Sequence, residues 1–226
     1  MTAYILDTEA HALKDPHATE IAYIKVGFGE TGLAYLEAKA FEQRYNPQQK
    51  ISYGSMAITR IFDEDVANMP PHTDFVLPDD CQYLIGHHID FDCEVLANAK
   101  CDLSPTKRIC TLALARFCYP DLDSHTLGAL LCYLYPEIAK KNLSYAHGAK
   151  YDIWFTFLVL KSMCQKLGID NIAKLYQMSE TARKPTHMTF GKYKGTAIVD
   201  LPSDYVDWLL KQSEIDAYLK LALESL

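Results

Sequence analysis

The sequence predicts an α/β domain, a mixed sheet flanked by helices, with a small C-terminal module of a hairpin and helices. Three observations carry this expectation. Apolar strand-like runs cluster at the N-terminus, strand and helix patterns then alternate, and the composition turns polar and basic near residue 180.

Residues 3 to 6 (AYIL) form a short apolar run ending at Asp7, and residues 20 to 28 and 33 to 38 add two strand-like runs separated by Gly29-Glu30-Thr31-Gly32. Together they read as an antiparallel meander. Residues 55 to 68 suit a helical or turn-rich segment closed by Pro70 and Pro71. A buried strand is expected over 82 to 86 and a helix from about 90 to 99. Residues 107 to 118 and 124 to 135 carry apolar positions at helical spacing, with Ser124 as candidate N-cap and Pro120 and Pro136 as stops. The apolar stretch 151 to 167, closed by Gly168, predicts a helix packed on the sheet. These elements make a domain over 1 to 178, a linker over 179 to 187 and a module over 188 to 226. The module should open with a hairpin over 188 to 201, turning through Gly191 to Gly195, and continue with two short helices over 202 to 224.

The totals agree with a folded chain. Its 226 residues allow one main domain of about 170 residues and a small appendage. With 49% hydrophobic and 23% charged residues, the chain can bury a core. No run approaches the ~20 apolar residues of a membrane span, and Asp7 and Glu9 stand where a signal peptide would be apolar, so a cytoplasmic protein is expected. Seven scattered cysteines without a CxxC pair fit reduced thiols.

Several acids stand where chemistry could use them. Asp7 and Glu9, at i and i+2 on a strand, project to one face of a sheet, where two carboxylates must repel or share a cation. Alone, the pair is equally what a solvated strand end presents. Asp92 follows Phe91 near a helix start, where a plain first-turn acid would also sit. His147 and Asp152, in HGAKYD, straddle the start of the long helix.

The order Asp-x-Glu, Phe-Asp and His-x-Ala-x-x-Asp, carried by Asp7, Thr8, Glu9, Phe91, Asp92, His147, Ala149 and Asp152, resembles the histidine branch of the DEDD 3'→5' exonuclease superfamily. The segments SMAITRIFDEDV and RICTLALARFCYPDLDSHTLGALL are similar to further parts of that family, so the resemblance spans roughly residues 3 to 165. The tail, MTFGKYKG followed by LPSDYVDWLL, is similar to the C-terminal module of the bacterial exodeoxyribonuclease X family. The chain departs from the family pattern at His88, often Asn, and at Thr59, often His.

The resemblance implies an RNase H-like fold with a five-stranded sheet, and a metal-dependent enzyme that releases nucleoside 5'-monophosphates from the 3' end of single-stranded or frayed DNA. Asp7, Glu9, Asp92 and Asp152 would hold two divalent cations, Mg²⁺ or Mn²⁺, and His147 would take a proton from the attacking water. Thr8, Met56, Ile58, His88 and Phe91 would meet the substrate. The net charge of −7 is unusual for a polyanion binder, but two bound divalent cations would bring it to about −3. Arg183, Lys184, Lys192 and Lys194 form the one clearly basic stretch, a candidate contact for the nucleic-acid backbone or else a solvated linker and turn. Single-stranded DNA is the expected partner, with RNA possible and no membrane. The same pattern leaves open an oligoribonucleotide exonuclease or a non-catalytic nucleic-acid-binding module. A carboxylate-metal phosphatase would also want Asp-x-Glu at a strand end, but it leaves HGAKYD without a purpose.

Overall fold

The computed structural model describes residues 1–188, 190–212 and 215–226. They form two compact units, Met1–Ser179 and Glu180–Leu226.

The first unit is built on one sheet of six strands. Strand β1 (Ala3–Ala10) lies antiparallel to the long β2 (Ala18–Gly29) and parallel to β5 (Tyr83–Gly86), which in turn lies parallel to β6 (Lys107–Cys110). Two short strands share the outer edge of β2. Its residues 26–29 pair with β3 (Gly32–Tyr35) and its residues 20–23 with β4 (Phe41–Arg44). The sheet expected to have five strands therefore has six, yet is five positions wide. Strand β4 escapes sequence inspection because FEQR carries one apolar residue and only its alternate positions are half-buried.

Six helices accompany the sheet up to residue 142: α1 (Tyr53–Thr59), α2 (Asp63–Val66), α3 (Ile89–Asn98), α4 (Thr111–Cys118), α5 (Leu127–Leu134) and α6 (Pro136–Asn142). A seventh, α7 (Ala149–Leu167), buries Ile153, Phe155, Val159, Leu160 and Met163 and ends at Gly168 in the left-handed conformation, as expected for a buttress of the core. Two expectations need correction here. Residues 107–110 are strand, since Ile109 and Cys110 are buried beside β5 before the helical spacing begins. The cap of α5 is Thr126, whose hydroxyl accepts the Ala129 N–H, and not Ser124. Pro136, expected as a stop, does follow the end of α5 at Leu134 and also opens α6, where its missing N–H costs no hydrogen bond.

Helix α8 (Ile172–Arg183) carries regular structure through 179–183, so the linker expected over 179 to 187 is helical in its first part. The SETAR stretch is polar in composition, yet Ser179 is buried and the Arg183 side chain is only 4% exposed. In the second unit, Met188, Ile198, Leu201, Leu209, Leu219 and Leu223 make a small core with α9 (Ser203–Leu210) and α10 (Ala217–Glu224). These are the two short helices expected over 202 to 224, although positions 213 and 214 lie outside the described residues. Thr189, within the expected hairpin, is outside them too. Among the described residues of 188–201 there is no strand. A single bridge, His187 to Ala197, and the bond from Gly195 N–H to Met188 O at 2.8 Å close a loop through Gly191 and Gly195, both at positive φ.

Among the described residues no cysteine forms a disulfide. Among the described residues, no helix is long and apolar enough to cross a membrane.

Candidate active site

Strand β1 supplies the first pair of acids. Asp7 and Glu9 share a face because strand side chains alternate, and both border a cleft of about 590 Å³. His88, Arg116, His147 and Asp152 border the same cleft.

Asp92, in the first turn of α3, is buried behind this face. The Thr8 N–H and hydroxyl both donate to its Oδ1, at 2.9 and 2.8 Å, which ties α3 to the middle of the acid pair. Gly86, at the end of β5, permits the approach. A Cβ there would stand 2.8 Å from Ile89 Cδ1, 3.1 Å from the Leu6 carbonyl oxygen and 3.2 Å from Asp92 Oδ2.

Helix α7 supplies the other half. Asp152 lies in its first turn, where the helix N-terminus favours an acid, and accepts the His147 N–H at 3.2 Å. His147 sits in the loop before the helix at φ +63°, a left-handed conformation uncommon for a side-chain-bearing residue. Its side chain is exposed, and partial desolvation together with nearby Arg60 lowers its pKa from the ordinary imidazole value. Arg60 Nη1 also donates to the Ser144 carbonyl at 3.0 Å, steadying the approach to the loop.

Among the described residues, one group of ligand atoms falls within metal-binding reach. Glu9, His147 and Asp152 each offer an atom, all within 4.8 Å of one another. Burial raises Glu9 to about 8, aided by Asp152, Glu20 and Asp92. Burial likewise raises Asp92 and Asp152 to about 7, against the hydrogen bonds from Thr8 and His147. Asp7 is held well above the carboxylate range by desolvation and by Asp92, Asp152, Glu9 and Glu20 around it. Among the described residues no cationic side chain pairs with these four acids. Hard oxygen donors crowded this way suit a divalent cation, which relieves the repulsion that protonation otherwise relieves.

The remaining sequence-derived candidates divide. Thr8 spends both polar groups on Asp92, while His88, left-handed at the start of α3, borders the cleft. Met56, Ile58 and Phe91 do not border it. Met56 packs on Ile51, Ile61 and Val66, Phe91 is half-buried, and Ile58 is 51% exposed. In the second unit Lys184, Lys192 and Lys194 are exposed. Arg183 is instead engaged inside its own unit, 5.0 Å from the Tyr218 ring centroid and 3.7 Å from Glu180 Oε1, so it is not a free cation for a nucleic-acid backbone.

Sequence inspection missed Glu20, Gly86, Arg60 and Arg116. Glu20 and Arg60 bond backbone atoms of distant segments and Gly86 acts by the space it leaves open, none of which leaves a pattern in the sequence. For Glu20 the available signal was an acid opening an otherwise apolar strand.

A family model described as exonuclease matches residues 4–160, and a second, named for a quorum-sensing-regulated virulence factor, matches residues 176–219. The chain is 28% identical to Exodeoxyribonuclease 10 of Escherichia coli (strain K12) over 234 residues, covering 97% of this chain and 96% of that protein. It is 29% identical over 177 residues to the PolC-type DNA polymerase III of Oceanobacillus iheyensis, covering 74% of this chain and 12% of that one. Among solved structures, exonuclease X in complex with 5' overhanging duplex DNA superimposes with a TM-score of 0.59 at 23% identity, covering 78% of this chain and 99% of that one. The zinc-bound complex of E. coli exonuclease I with single-stranded DNA gives 0.58 at 19% identity, covering 81% of this chain and 43% of that one. Those likenesses speak to the fold, and the family model spans the strands and helices that carry the acids. The chain belongs to the exonuclease family, as a nuclease of the DEDD 3'→5' type similar to exodeoxyribonuclease X.

Proposed function

We propose that this protein hydrolyses the terminal phosphodiester of single-stranded or frayed DNA from the 3' end, releasing nucleoside 5'-monophosphates. The observation that carries the reading is the meeting of Asp7, Glu9, His147 and Asp152 on one cleft, with Asp92 held directly behind. DNA is favoured over RNA by similarity along nearly the whole chain to a protein named an exodeoxyribonuclease.

Asp7, Glu9, Asp92 and Asp152 would hold two divalent cations, Mg²⁺ or Mn²⁺, which when bound supply a stronger water nucleophile and charge relief at phosphorus. His147 accepts the proton of the attacking water, a role suited to an imidazole kept neutral by its lowered pKa. The water oxygen bonds to phosphorus as the bond to the 3' oxygen breaks, and that oxygen takes a proton from solvent to leave a new 3'-hydroxyl on the shortened strand. Thr8 holds Asp92 and His88 faces the terminal nucleotide, while Met56, Ile58 and Phe91 act only along the strand's approach. Lys184, Lys192 and Lys194 contact backbone phosphates. Replacing all three by alanine should lower the salt dependence of binding by up to ~0.7 in log–log slope for each phosphate that is no longer neutralised.

The test is a time course on end-labelled DNA and RNA oligomers of one sequence, with Mg²⁺, Mn²⁺ or EDTA, using wild type and Asp7→Ala. Metal-dependent release of 5'-mononucleotides from DNA, reduced at least ~10³-fold in Asp7→Ala, is expected. Faster release from RNA would favour the oligoribonucleotide reading, and no metal-dependent release would leave a binding module.

A further inference from the structure

Resting on that assignment of the acids, we infer that Glu20 is a positioning residue for the cleft: from β2 it caps the start of α7 and so sets His147 and Asp152 in place. Glu20 lies opposite Glu9 in the β1–β2 register and is only 7% exposed. Its Oε2 accepts the Ala149 N–H at 2.9 Å, and its Oε1 faces Arg44 Nε at 3.4 Å.

The first turn of a helix exposes amide N–H groups that need acceptors. Most helices meet them with a Ser, Thr, Asp or Asn at the N-cap. Here the N-cap is Gly148, which has no side chain to offer, and the acceptor comes from another strand. A carboxylate in this place is costly, since Glu20 adds to the repulsion felt by Asp7, Glu9 and Asp152. A buried acid beside three others needs compensation, and the cap on α7 and the pair with Arg44 share it. The bond anchors the helix one residue after Gly148 and two after His147, so its loss frees the loop that presents the imidazole and the turn that presents Asp152. A second link runs from Glu42 of β4 to Lys150 at 2.9 Å, but both partners are exposed and the pair is weak.

Glu20→Gln separates the hydrogen bond from the charge, because the amide oxygen still accepts the Ala149 N–H. Glu20→Ala removes both. The measurements are kcat and KM on a DNA oligomer, Mn²⁺ affinity by calorimetry, and Tm without metal, with Glu42→Ala and Asp7→Ala alongside. Glu20→Ala should lower kcat by ~10 to 100-fold and weaken Mn²⁺ binding, with KM little changed. Glu20→Gln should restore both, and Glu42→Ala should resemble wild type. Glu20→Gln as impaired as Glu20→Ala overturns the capping role, as does a Glu20→Ala equal to wild type beside an inactive Asp7→Ala. If Glu20→Ala does not fold, Glu20→Gln decides alone: near-wild-type kcat and Mn²⁺ affinity support the cap, and their loss overturns it. An active Asp7→Ala would instead overturn the site assignment itself.

Discussion

The two halves of the cleft are held in different ways. Asp7, Glu9 and Asp92 stand on the centre of a sheet and on a helix bonded to it, backed by Gly86 at near-contact distance. His147 hangs on a loop in left-handed backbone, its imidazole exposed, joined to the fold through main-chain bonds. A cation site needs acids fixed to within a fraction of an ångström, which a sheet supplies. The base role proposed for His147, meeting a water and then releasing its proton, suits a loop. Altering the first half should therefore cost stability together with activity, and altering the second half activity alone.

The largest effect tests the loop half. His147→Asn removes the imidazole but keeps a residue that tolerates positive φ. kcat should fall by ~10² to 10⁴-fold with Tm unchanged. A matching fall in Tm would mean that the side chain supports the fold. Gly86→Ala tests the sheet half. The added methyl meets the Leu6 carbonyl, Ile89 and Asp92, so unfolding in urea should show a loss of about 1–3 kcal/mol, with reduced activity. Unchanged stability would show that α3 shifts freely and that this half is not rigid.

The next effect concerns charge in both halves. Glu9 at about 8, and Asp92 and Asp152 at about 7, lie above their unfolded values of ~4. A raised folded-state pKa means stability that is complete below the unfolded value and is lost as pH rises through the folded one. The metal-free protein thus weakens between about pH 4 and pH 8 on this account, and a cation replaces the protons given up. Mn²⁺ should raise Tm more at pH 8 than at pH 6. Equal shifts at both would argue against cation binding by these acids.

The smallest effect lies outside the cleft. His72 is buried, stacked on His17 at 4.3 Å, with Nδ1 lacking a hydrogen bond, and burial lowers its pKa to about 4. Here the sign reverses: below ~6.5 the unfolded chain takes a proton the folded one refuses, and stability falls until about pH 4. His72→Phe should keep the stacking and raise Tm at pH 5 relative to wild type, with a smaller difference at pH 7.5.

Much of this was legible in the sequence, and for identifiable reasons. The strands of β1, β2 and β5 and the helix α7 are long or strongly apolar, and their periodicity reveals them. Strand β6 was hidden because its two buried residues merge with the helical spacing of α4, and α6 because a proline reads as a stop until its place at N1 is known. The five residues proposed to carry the chemistry were legible because their types and spacing form a motif. Thr8 was named, but not as the group holding Asp92. Glu20 and Arg60 were invisible because each bonds a main-chain amide or carbonyl, present at every position of every chain, and Gly86 because what matters is the side chain it lacks.

The bond between Glu20 and the Ala149 amide joins positions 129 residues apart. Loops of that length close slowly, after the local contacts they enclose. The cleft is thus complete only when α7 has reached β2, and a chain that stops short of residue 147 holds Asp7, Glu9 and Asp92 without the imidazole or the fourth acid.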